Sequence, residues 1–177
     1  MGTTERKDIM IVIADTTPLI SLMKIGHLDL IYKLFGEIRI PNAVFNELVN
    51  NTRFPEESRQ IRECPFITKI MVDDMNAVNL LRRSSGLDAG ESEAIILSDS
   101  TSAELLLMDE VKGRQVARQM GIKIMGTIGM LLIAYKENYL SKDEIYNCID
   151  ILKTTGRHIS ESLYQQLIMV IEGEDTV

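Results

Sequence analysis

Four acidic side chains, Asp15, Glu47, Glu91 and Asp109, stand where carboxylates can act together. Asp15 ends the apolar run of residues 9–14 in IMIVIADTTPLISL, and Asp109 ends a second run, ELLLM at residues 104–108. Both runs have the length of strands buried on two faces and are far too short to span a bilayer. In a parallel sheet the two acids then sit at one edge, beyond the carboxyl ends of the strands, where open α/β sheets hold their ligands. Glu91 lies in the first turn of a helix opened by Asp88, beside the same edge. Glu47 borders the apolar stripe Val44, Phe45 and Leu48 of another helix and can point in from the side. Four converging carboxylates repel one another at neutral pH. A hard divalent cation offsets that repulsion, and Mg²⁺ or Mn²⁺ prefers such an all-oxygen set. A cation held in such a set can act as a Lewis acid and activate a bound water.

The other residue types narrow the chemistry. Two histidines, His27 and His158, leave little for a Ser-His-Asp triad or a histidine-rich metal centre. Cys64 and Cys148 are single and far apart, which argues against a disulfide framework or a thiolate zinc site. A phosphatase working through an aspartyl-phosphate needs a second Asp two positions after the first, and Thr17 stands there. Lys112, Arg114 and Arg118 follow Asp109 on one helix, and Arg114 and Arg118, four apart, share a face that can hold phosphates. Thr16, next to Asp15, joins them as a candidate substrate contact.

Each acid also has a purely structural alternative. Asp15 can cap the helix after it, with Thr17 and Pro18 as the helix-start pair. Asp88 and Glu91 have capping-box spacing. Asp109 can cap the next helix, and Glu47 can lie on a solvated face. The GTIG turn at residues 126–129 looks like a phosphate cradle, and equally like a tight strand-to-helix turn.

The elements that position these residues alternate strand and helix. Strands are expected at residues 9–14, 37–40, 67–72, 104–108 and 123–125, with helices between them. That pattern predicts a three-layer α/β/α sandwich around a central parallel sheet, over residues 1–140. Residues 141–177 read as two amphipathic helices, a hairpin appended to the finished sheet. At 177 residues and 45% hydrophobic content the chain suffices for one domain with an extension. No membrane span or signal peptide is visible, so a cytoplasmic location is expected. The net charge of −7 is unusual for a nucleic-acid binder, but residues 141–177 alone hold seven acids against three bases. From that acidity the tail is expected to serve self-association, as a homodimer, or a protein partner, and not to bind substrate.

The ordered set ADTTPL, IPNAVFNEL, LDAGESEAI, LLLMDEVKGRQVA and GTIGML resembles the PIN domains. It is most similar to a branch of the VapC-like type with an added helical tail. The resemblance implies a Mg²⁺- or Mn²⁺-dependent ribonuclease whose metal site is Asp15, Glu47, Glu91 and Asp109. It also implies an RNA substrate and, for the toxins of toxin–antitoxin pairs, an antitoxin partner. Two positions depart from the toxin pattern: Glu91 stands where Asp is usual, and Leu107 where Thr is usual. A PIN-like module that binds nucleic acid or protein without turnover is the alternative.

Overall fold

The computed structural model describes residues 10–157 and 159–173. Met1 to Ile9, where the first strand was expected to begin, lie outside them, as do His158 and the last four residues. The strands are β1 (Val12–Ala14), β2 (Ile38–Pro41), β3 (Ile67–Ile70), β4 (Leu105–Leu107) and β5 (Ile124–Met125). They form one sheet in the order β3-β2-β1-β4-β5, every pairing parallel. The five expected strands are therefore all present, and β1 is central.

Period-two alternation sorts the strand side chains onto two faces. Val12 and Ala14 of β1 and Leu107 of β4 point into one core with Ile38 and Ile40. Ile13, Leu106 and Met108 point into the other. The first core is covered by α1 (Thr16–Lys24), α2 (Leu30–Phe35), α3 (Asn42–Val49), α4 (Pro55–Glu63) and α8 (Thr127–Lys136). The second is covered by α5 (Met75–Ser85), α6 (Ala89–Ser100) and α7 (Val111–Gln119). This is the α/β/α sandwich the alternating pattern implies.

Two details differ from expectation. Helix α1 starts at Thr16, with Asp15 at the N-cap, and Pro18 is its third residue. The first three N–H groups of a helix have no intrahelical acceptor, so proline costs nothing there. The second difference concerns the tail, α9 (Lys142–Thr154) and α10 (Glu161–Ile171). Ile145, Cys148, Ile149, Leu152, Tyr164, Leu167 and Ile171 are buried in the same core as β1 and α8. The hairpin therefore completes that side of the molecule: α8 is apolar around most of its circumference and needs a second cover. Among the described residues no helix is long and apolar enough to cross a membrane.

Candidate active site

β1 and β4 are neighbours in the sheet, with Ala14 opposite Leu107, and the Asp15 N–H donates to the Leu107 carbonyl at 2.9 Å. Asp15 and Asp109 thus leave adjacent parallel strands at the same edge, as their positions after two apolar runs require. What surrounds them differs.

Asp15 is 3% exposed. It occupies the N-cap of α1, yet among the described residues its carboxylate makes no capping bond to the helix. Burial, and then the negative charges of Asp88, Glu91 and Glu47, push its carboxyl up to about 8, against the pull of the Thr16 N–H. The carboxylate is buried among like charges, and local helix capping does not account for it.

Glu47 reaches in from α3, where its exposed carboxylate accepts from the Thr16 hydroxyl at 2.8 Å. Thr16 itself is buried, so what the structure shows of its hydroxyl is a hold on Glu47. Gly90, at the start of α6, makes room for this approach: a Cβ there would stand 3.3 Å from Glu47 Oε2.

Glu91 does two things. The capping box is real: Asp88 Oδ1 accepts from the Glu91 N–H at 2.8 Å, and Glu91 Oε2 accepts from the Asp88 N–H at 2.9 Å. Burial, with the charges of Asp88, Glu110 and Glu47, nevertheless raises the Glu91 carboxyl. Asp88 is also, with Glu47 and Glu91, a third charge facing Asp15, although its sequence position suggested only a cap. Its partner in the same helix, Glu93, is buried and accepts from the Ala43 N–H at 2.8 Å, tying α6 to the first turn of α3. Nothing in the local sequence separates Glu93 from Glu91 except the two-residue step that turns it to the other side of the helix.

Asp109 is held tightly. Its Oδ1 accepts from the Thr127 N–H at 2.7 Å, and its Oδ2 accepts from the Thr127 hydroxyl at 2.6 Å. It therefore caps α8, which starts beside β4's neighbour β5, and not α7, the next helix in sequence. Burial raises its carboxyl, opposed by Thr127 and by the guanidinium charges of Arg114 and Arg157. The GTIG turn consequently spends its first helical N–H on a carboxylate, and the phosphate-cradle reading of that turn is dropped. Gly126 is required here: a Cβ would stand 2.6 Å from Arg114 Nη1 and 2.7 Å from Asp109 Oδ1.

The three candidate cations of α7 do not act as one. Arg114 is half-buried and donates to the Met108 carbonyl at 2.9 Å. Burial and the charge of Arg118 lower its guanidinium, and Asp109 opposes the shift. Arg114 and Arg118 line one cleft with Asp109, as their shared helical face implies. Lys112 turns the other way, and its Nζ would stand 3.0 Å from a Cβ at Gly86. The tail adds two groups that sequence spacing did not mark, Arg157 and Tyr164. The Tyr164 hydroxyl and Arg157 Nε are buried with no hydrogen-bond partner among the described residues. Burial first, and then the charge of Asp109, raise the Tyr164 phenol.

Among the described residues no three His, Cys, Asp or Glu side chains form a ready ligand set for a metal ion. The chemistry of the donors still fits a hard divalent cation. Asp15, Glu47 and Glu91 offer only carboxylate oxygens, and the charges that act on the buried Asp15 are those of Asp88, Glu91 and Glu47, all negative. No curated protein matches the chain. A family model described as a PIN domain matches residues 11–172, spanning the sheet, all four acids and the tail. By that match, with the parallel sheet and its acid-lined edge, the chain belongs to the PIN-domain family and has a nuclease-type fold.

Proposed function

We propose that the protein is a metal-dependent ribonuclease that hydrolyses phosphodiester bonds with Mg²⁺ or Mn²⁺. The observation that carries this reading is Asp15, a carboxylate 3% exposed and surrounded by Asp88, Glu91 and Glu47. A cation supplies the missing positive charge and, when bound, polarises a water and offsets the charge on the scissile phosphate. Asp15, Glu47 and Glu91 hold it from the sheet edge and the two flanking helices. Asp109 is fixed by Thr127 and presents its remaining lone pairs from the neighbouring strand. Thr16 keeps Glu47 turned inward. Arg114 and Arg118 face the phosphates of the bound strand, while Lys112 meets substrate from the Gly86 side of the site. A toxin role with an antitoxin partner accompanies this reading as a proposal resting on the resemblance; self-association as a dimer and a cytoplasmic location are proposals resting on the tail and on the sequence pattern.

The test is incubation of a labelled RNA pool with Mn²⁺, with and without chelator. Cleavage that needs the metal and disappears in Asp15→Asn is the expected result. An RNA pool left intact by the folded, Mn²⁺-loaded protein would support a module without turnover.

A further inference from the structure

A cleft of about 650 Å³ opens beside Asp109, between α7 and α10. Its floor is aliphatic, with Ile128 and Leu132 of α8 and Leu163 of α10. Arg114 and Arg118 stand on the α7 rim; Ser160, Ser162 and Gln166 stand on the tail rim. Volume and composition are those of a small-ligand site, mostly apolar with a few polar groups that fix orientation.

Resting on the ribonuclease reading, we propose that this cleft is the subsite for an unpaired nucleotide next to the scissile phosphate, and that the C-terminal helix is its far wall. A splayed base has apolar faces and a polar edge, so it lies on the aliphatic floor while its edge meets Ser160, Ser162 or Gln166. The phosphates on either side of it run along Arg114 and Arg118. Asp109 is among the residues that line the cleft, so a base seated here keeps its phosphodiester beside one of the four acids. A duplex cannot enter, because its bases are stacked and paired.

The acidity of the tail does not oppose this. Glu161 is paired with Lys153, and Glu172 with Lys142, and neither acid lines the cleft. The wall that α10 presents to the cleft is neutral. The residues that α10 turns to the cleft, Ser162, Leu163, Gln166, Leu167 and Val170, are all uncharged.

The inference is tested by fluorescence anisotropy of a short fluorescein-labelled single-stranded RNA, with the full-length protein in chelator so that nothing is cut. The same strand as a duplex and the same strand carrying an abasic position are the comparison probes. Two variants at exposed rim positions interrogate the wall: Ser162→Trp fills the cleft, and Gln166→Glu sets a negative charge opposite the arginines. Circular dichroism and calorimetric Mn²⁺ titration report whether each variant keeps its fold and its metal site. The expected result is single-strand binding at least tenfold tighter than duplex or abasic binding. Each variant should lose at least fivefold with Mn²⁺ binding unchanged. Three results would overturn the proposal: variants that bind RNA like the parent, a parent that does not prefer the single strand, or a Ser162→Trp change that alters only the mass seen by light scattering. The last would make the cleft an interface between copies. Because binding is read without metal, a failure of the ribonuclease reading shows separately, as absent Mn²⁺-dependent cleavage.

Discussion

Two aspartates end adjacent strands of one sheet, and the molecule treats them in opposite ways. Asp109 is compensated by the chain: two hydrogen bonds from Thr127 and two nearby guanidinium groups meet part of its charge. Asp15, one strand away, is more deeply buried and faces Glu47, Asp88 and Glu91. Burial lifts both carboxyls above the ordinary range. At Asp15, unlike Asp109, neighbouring charges add to the effect, because those that act on it, from Asp88, Glu91 and Glu47, are all negative. A group kept ionisable in such a place is stabilised by something the chain does not supply, and a nuclease metal is that kind of partner.

The largest test of this contrast is Asp15→Asn in chelator. The Asp15 pKa is 3.8 in a free chain and about 8 when folded. The folded state holds the proton more tightly, so this residue makes stability fall as pH rises from about 4 to about 8, and the loss is complete above that. Removing the ionisable group, which must take up a proton on folding, should stabilise the metal-free protein by on the order of 4 kcal/mol at pH 7 and flatten the fall. Thermal melts across that pH range read it. A variant less stable than the parent, with the same pH slope, would mean that Asp15 is a structural cap.

At Asp109 the sign reverses. Thr127→Val removes one donor from a carboxylate that the fold itself supports, so it should destabilise by about 1–3 kcal/mol, whether or not metal is present. Urea unfolding checks it; a neutral result would show that Asp109 does not depend on this bond. The smallest effect belongs to the boundary between the two regions. Asp88→Ala takes away a helix cap but also one of the charges facing Asp15. Capping alone predicts a loss of about 1 kcal/mol, and the relieved repulsion offsets part of it at pH 8 but little at pH 5. Equal losses at both values would show that Asp88 does not act on Asp15.

That β1 and β4 are buried strands, and that their acids share one sheet edge, was legible in the chain because apolar runs ending in Asp carry both facts at once. Element starts were less so: Thr17-Pro18 looks like a helix start, and the helix begins at Thr16 because proline is tolerated throughout the first turn. The partners of Asp109 were not legible, since Thr127 is 18 residues away and becomes a neighbour only through the pairing of β4 with β5. For the same reason Arg157 and Tyr164 were missed. Their approach to Asp109 depends on how the tail hairpin seats on α8, and amphipathic periodicity gives the buried face of a helix without naming what it is buried against. Asp88 was visible as a cap, and its second part as a charge facing Asp15 appears only in three dimensions.

The most direct measurement is calorimetric Mn²⁺ titration of the parent and Asp15→Asn at pH 7, each in two buffers of different ionisation heat. With its carboxyl near 8, Asp15 is mostly protonated at that pH, so cation binding must displace a proton. The parent should bind Mn²⁺ with release of close to one proton per ion, and Asp15→Asn should bind at least tenfold more weakly, about 1.4 kcal/mol, with little release. Equal Mn²⁺ affinity and equal proton release in the two proteins would contradict the account, because the buried carboxylate would then not be the group that takes the metal.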